Sequence, residues 1–195
     1  MNAQDQINQA MRVFLQRIDQ GEDAQHLITL FAGSPQSPLA LALNENAAYL
    51  AGHDVEVRVV FASADGDAKK QFIDALRAKF AAGAVSVRAT SSRDYLGHNE
   101  QLVLGTTSYI TGPTIAQRTR SGMADEVDVS SAEDEVAIAT FAFDLLWDAA
   151  GPAVTSRHKS DGSASRLILS LVGFAELFGK LFHTLSKPLM RQQAS

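Results

Sequence analysis

Apolar positions along the chain change their spacing from segment to segment, and the changes mark alternating helices and strands. Ile7, Met11, Phe14 and Ile18 recur at helical spacing and predict an N-terminal helix that ends at Gly21. The run from His26 to Ala32 (HLITLFA) is continuously apolar and short, as a buried strand is. Ser37 followed by Pro38 forms an N-cap and first-turn pair, opening a helix that closes near Gly52. Val55, Val57 and Val59 alternate with Glu56 and Arg58, the two-residue period of a strand. Phe72, Ile73, Leu76 and Phe80 place a helix over about 67–82, with Gly83 as its stop.

The second half continues with a strand at Val85 to Ala89 and then two closely spaced strands, around Leu102–Leu104 and Ser108–Thr111. Ser130 and Glu133 have capping-box spacing, and the helix they predict turns Val136, Phe143, Trp147 and Ala150 inward before Gly151–Pro152 stops it. Residues 155–165 (TSRHKSDGSAS) read as a polar, Gly/Ser-rich linker. Beyond it, Leu167, Leu171, Phe174, Phe178, Leu181 and Leu185 form one apolar seam, predicting an amphipathic helix over 166–187 that ends at Pro188. The expected class is α/β, a mixed sheet flanked by helices. The expected organisation is an N-terminal helix (1–25), an α/β domain (26–154), the linker and the C-terminal helix.

Composition narrows the function. With 46% hydrophobic and 20% charged residues, the chain has the make-up of a globular protein. Its net charge is −5 and no basic stripe is visible, which argues against nucleic acid as a partner. The chain has no cysteine, so disulfides, thiolate nucleophiles and thiolate metal sites are excluded. The N-terminal stretch lacks the basic start and apolar run of a secretory signal, and Ser170, Gly173, Glu176, Gly179 and Lys180 interrupt the longest apolar stretch. A cytoplasmic location is therefore expected.

One stretch carries a family resemblance. Gly97 to Gly112 reads GHNEQLVLGTTSYITG. It resembles the central motif of the phospholipase D superfamily: histidine, any residue, lysine, four residues, aspartate, then Gly-Ser. His98 stands at the histidine position and Gly112 at the later glycine. Glu100 takes the lysine position, Gly105 the aspartate position and Pro113 the serine position. The flanks are also similar to that family: a strand–helix–strand before the motif, and EVAIATFAFDLLWDAAGPAV as its closing helix. The resemblance spans residues 26–154, one half of the usual two-half enzyme.

The resemblance implies a histidine that attacks phosphorus, lysines that bind the phosphate oxygens and an aspartate that orients the histidine. Glu100 would set negative charge against a phosphate, and at ~4 Å with an effective dielectric of ~20 each unit-charge pair is on the order of 4 kcal/mol. Gly105 has no side chain with which to orient anything. The expected protein is thus a catalytically degenerate, phospholipase D-like half domain. It would act as a binding or assembly module and form a homodimer, since family members with one motif per chain build their site across a two-fold axis.

The alternative is a phosphodiesterase of phospholipase or nuclease type that uses His98 across a dimer interface. Its phosphate would be held by Arg118, Arg120 and Ser108, the last within the run Thr106–Thr107–Ser108. Against it stands the reading of His98 as a loop-to-strand histidine bonded to nearby backbone. His98 and Glu100 alone do not make a metal site, and His26, His53 and His158 lie at no ligand spacing. No cofactor is expected, because the chain has neither a GxGxxG nor a phosphate-loop sequence. For the helix at 166–187 three roles compete: packing on its own sheet, joining a second chain, or lying on an anionic membrane surface. Lys180, His183, Lys187 and Arg191 supply the charge for the last.

Overall fold

A computed structural model describes residues 2–62, 66–90, 95, 97–115 and 126–152. The chain divides into two compact units, Met1–Ser156 and Arg157–Ser195, and the second lies outside the described residues. The linker, the C-terminal helix, Arg118 and Arg120 therefore fall outside them as well.

In chain order the described elements are α1 (Ala3–Asp19), β1 (Leu27–Ala32), α2 (Pro38–Leu50), a 3-10 turn (Ala51–His53), β2 (Glu56–Phe61) and α3 (Asp67–Arg77). There follow β3 (Val85–Ala89), β4 (Asn99–Leu104), β5 (Ser108–Thr114), β6 (Asp128–Ser130), α4 (Glu133–Ala149) and β7 (Gly151–Pro152). The strands form one seven-stranded sheet in the order β6-β5-β4-β1-β2-β3-β7. Strands β1, β2 and β3 run parallel, while β4 pairs antiparallel with β1 and β5 with β4. This is the α/β class with a mixed sheet that the sequence led us to expect.

Alternation along the strands sorts the core onto two faces. Ile28, Leu30, Val57, Val59, Leu102 and Leu104 pack against helices α1, α2 and α3 in the larger cluster. Phe31 and Val60 point the other way, onto Phe143 of α4, and Val103 meets Val136 and Ala139 there. Ile7, Met11, Phe14 and Ile18 are all buried, so α1 belongs to the core of the first unit. Ser37 caps α2 as expected, its hydroxyl accepting from the Ala40 amide at 3.1 Å.

Three expectations need correction. The capping box at Ser130 and Glu133 does not form: Ala132 is the N-cap of α4, without a side-chain cap, and the Ser130 hydroxyl accepts from the Ala132 amide instead. Ser130 is held in β6, paired with Tyr109, so its backbone is unavailable to start the helix. The third helix ends at Arg77 rather than near 82, although Phe80 still packs into the core. Trp147 is half-buried, stacked on Phe143 on one side and covered by arginines on the other, and so is only partly a core residue.

Tyr109 on β5 gives the second face a pH dependence. Its phenol is pushed up from 10.0 to about 12, first by burial, then by the negative charges of Glu135 and Asp128. The folded state therefore favours the neutral phenol. The associated stabilisation is complete below pH ~10, the unfolded value, and is lost as pH rises through ~12. A shift of this size corresponds to roughly 2–3 kcal/mol. Tyr109→Phe is expected to flatten the alkaline limb of the stability curve over that window, measured by urea unfolding at stepped pH. An unchanged alkaline limb would refute the assignment.

Candidate functional site

In an open α/β sheet, ligands bind at the carboxyl ends of the strands where strand order reverses. Here the carboxyl end of β1 lies beside the start of the antiparallel β4. The motif residues come to this end of the sheet because β4 starts beside the end of β1: Phe31 pairs with Gln101, and Gly33 follows immediately after β1.

Glu100 is fully buried, at 0% exposure, and its Oε1 accepts a hydrogen bond from the Gly33 amide at 2.9 Å. A β-bulge shapes its surroundings. Asn99 pairs with Thr114 and Gln101 with Thr111, so Gly112 and Pro113 together oppose Glu100 alone. Proline suits a bulge because it has no amide to leave unpaired. A Cβ on Gly112 would lie 3.5 Å from the Glu100 Cβ and 3.6 Å from Leu39 at the start of α2. One on Gly33 would meet Ile115 at 2.9 Å, so the backbone approaches the carboxylate only because glycine stands there. The position that the resemblance gives to a phosphate-binding lysine holds an inward carboxylate bonded to the chain itself.

His98 stands apart from Glu100. It is exposed, its amide donates to the Tyr95 carbonyl at 3.1 Å, and its own carbonyl accepts from the Ile115 amide at 3.0 Å. The ring lies beside Tyr95, with centroids 5.5 Å apart, and Tyr95 in turn meets Phe31 edge-on. The backbone of His98 is thus fixed by its neighbours while the imidazole faces outward. Among the described residues no group of three or more His, Asp or Glu side chains is placed to hold a metal ion.

The remaining motif position lies at the far end of the hairpin. Gly105 sits in the β4–β5 turn with φ +51°, and a Cβ there would fall 2.6 Å from Asp23 Oδ2, 2.6 Å from the Gln25 carbonyl and 2.7 Å from the Phe14 ring. No aspartate fits that space. Ser108 is buried and pairs with Leu104 beside the same turn, whereas His98 precedes the opposite end of β4. His98 and Leu104 are six residue steps apart, roughly 20 Å at the usual rise. Ser108 and His98 of one chain therefore do not meet.

In the run Thr106–Thr107–Ser108, which the phosphodiesterase alternative would use to hold phosphate, Thr106 and Thr107 bond a carboxylate of the chain itself. Asp23, 2% exposed, accepts from the Thr106 amide at 3.0 Å and the Thr107 hydroxyl at 2.7 Å through Oδ2, and from the Gln25 amide at 2.9 Å through Oδ1. Sequence reading passed over Asp23, which is more than eighty residues from its threonine partners. Its only local signal is an acid just after the Gly21 helix stop. Gly33 and Tyr95 were also passed over.

No protein-family model matches the chain, and no curated protein matches it. Among solved structures the chain is similar to TrmBL2, described as an archaeal chromatin protein with a novel mode of DNA binding, at 17% identity and a TM-score of 0.48. That match covers 76% of this chain and 52% of the other, so this chain spans about half the length of TrmBL2. It is also similar to NucT from Helicobacter pylori, at 11% identity and a TM-score of 0.49, covering 78% of this chain and 96% of that one. Identities this low say nothing of chemistry, and the reading of the site rests on its own residues. No helix among the described residues is long and apolar enough to cross a membrane.

Proposed function

We propose that this chain is a catalytically silent, phospholipase D-like half domain that serves as a binding or assembly module and works as a homodimer in the cytoplasm. The observation that carries the reading is the buried Glu100 carboxylate on the Gly33 amide. In the resembling family the corresponding position offers a cation to phosphate; here it is turned inward and already satisfied. A phosphodiester entering beside it would meet carboxyl oxygens, which are acceptors, where the resembling family offers a cation. The foreclosed side-chain space at Gly105 supports the same reading. The single copy of the motif supports pairing of two chains, and the apolar seam predicted at 166–187 supplies a further surface for assembly.

A second reading, a phosphodiesterase that uses His98 and its symmetry mate, is favoured by one observation: His98 is exposed just before β4, beside the carboxyl end of β1. Hydrolysis of bis-p-nitrophenyl phosphate by wild type and His98→Ala at several pH values separates the two, with light scattering on the same samples for chain number. No hydrolysis by either protein, from a dimer, is the expected result. Activity lost in His98→Ala would overturn the silent-domain reading, and a monomer at all concentrations would overturn the assembly role. Co-sedimentation with anionic vesicles tests the membrane role of 166–187, which requires binding that is lost on deleting residues 165–195.

A further inference from the structure

The face of the sheet beneath α4, opposite the Glu100 site, carries a cluster that the reading above does not use. Arg58 on β2 and Arg88 on β3 are diagonal neighbours across the ladder, through the pairs Arg58↔Ser86 and Val60↔Arg88. Both guanidinium groups converge on Trp147, with their central carbons 5.8 Å and 4.4 Å from its ring. Two like charges on one indole repel each other, and an anion between or beside them relieves that repulsion. Among the described residues the carboxylate in ion-pair range of either is Glu56, 4.0 Å from Arg58 and largely exposed, a loose and solvent-screened contact. Arg88 also donates to the Trp147 carbonyl at the end of α4, which fixes its guanidinium in place.

One strand further in, Thr29 pairs directly with Arg58 on the same face. It is 3% exposed, and its hydroxyl has no hydrogen-bond partner. Buried polar groups are nearly always satisfied, so an orphan hydroxyl on the ladder partner of Arg58 is an observation independent of the charges. Helix capping accounts for Arg88 alone; it explains neither the convergence of Arg58 nor the unsatisfied Thr29.

We infer that Arg58, Arg88 and Trp147, backed by Thr29, form a site for a small phosphate-bearing anion. A tetrahedral phosphate offers acceptors in several directions. Two can take the N–H groups of the guanidinium forks, while Thr29, the ladder partner of Arg58, supplies an uncommitted hydroxyl on the same face. The indole supplies a flat wall that orients both arginines. The site faces away from Glu100 and Gly33, so it stands or falls independently of the motif.

The chain has one tryptophan, so intrinsic tryptophan emission reports on this site alone. The experiment is a titration of the full chain with inorganic phosphate, then with pyrophosphate, at ionic strength held constant with chloride. A saturable change in emission is expected with phosphate and not with chloride. Arg58→Gln is expected to weaken the apparent affinity about tenfold or more, as loss of a charge-assisted hydrogen bond does, with Arg58→Lys intermediate. Circular dichroism of each variant checks that the fold is retained, and Thr29→Val gives a second, uncharged probe expected to weaken binding more mildly. No saturable change in wild type, or an equal response in Arg58→Gln, would overturn the inference.

Discussion

Aspartate at position 105, the residue that the motif's pattern would require, is expected to leave the domain largely unfolded. Gly105 has φ +51°, and three groups crowd the place a Cβ would take. One is the Gln25 carbonyl, which belongs to the backbone. Another is the Phe14 ring, fully buried in α1, and the third is the Asp23 carboxylate, tied by hydrogen bonds to the turn. None is the loose end of an exposed side chain. Left-handed strain costs a non-glycine residue about 1–2 kcal/mol, and overpacking a filled site about 1–3 more. Gly105→Ala should therefore lose roughly 2–5 kcal/mol.

Gly105→Asp adds a second carboxylate against Asp23, on the order of another 4 kcal/mol at short range. The total is comparable with the whole stability of an ordinary domain, about 5–15 kcal/mol. Urea unfolding of both variants tests this. If Gly105→Ala unfolds at the wild-type midpoint, the space argument is wrong.

Glu100→Lys, the other change toward the family pattern, is expected to cost about 3–5 kcal/mol and to bring no phosphodiesterase activity. The substitution places a cation where the carboxylate is now fully buried, and it removes the acceptor that the Gly33 amide now uses. Glu100 has no exposed surface, so a lysine in its place has no ready path to solvent without moving its neighbours. Glu100→Gln separates charge from hydrogen bonding. It keeps an oxygen for Gly33 and should lose only about 1–2 kcal/mol. A Glu100→Lys protein as stable as wild type, or one that hydrolyses bis-p-nitrophenyl phosphate, would show that the site retains space and catalytic potential.

Both predictions rest on the same physical fact. Two places that could receive an anion, the Gly33 amide and the Thr106–Thr107 turn, are filled by Glu100 and Asp23 of the chain itself. An internal carboxylate held by donors stabilises the fold and at the same time occupies the donors that a ligand would need. The Arg58–Arg88–Trp147 cluster differs in this respect. Its cations meet on an aromatic ring, with Glu56 as a distant counter-ion.

Much of the architecture was legible in the sequence, because most of its elements announced themselves within a few residues. The helical spacing of Ile7, Met11, Phe14 and Ile18, the Ser37–Pro38 cap and the alternation from Val55 to Val59 are local patterns, and local patterns reflect which face each element buries. Strands β6 and β7 were not legible. They have three and two residues, too few for any periodicity, and exist because β5 and β3 offer them edges. The same pairing of β6 displaced the start of α4 from Ser130 to beyond Ala132.

The sequence by itself determined the α/β class, the position of the motif-like stretch and the chemical identity of its substituted residues, Glu100, Gly105 and Pro113. Only the tertiary structure decided where those residues point. Glu100 turns inward because a bulge at Gly112–Pro113 and the side-chain-free Gly33 make a pocket for its carboxylate. Gly105 is held to glycine by Phe14, Asp23 and Gln25, from a segment some eighty residues earlier. Arg58, Arg88 and Trp147, dispersed along the chain, meet only when β2, β3 and the end of α4 are assembled. Contacts between distant segments arise from how the sheet orders its strands, and no local pattern of side chains records that order.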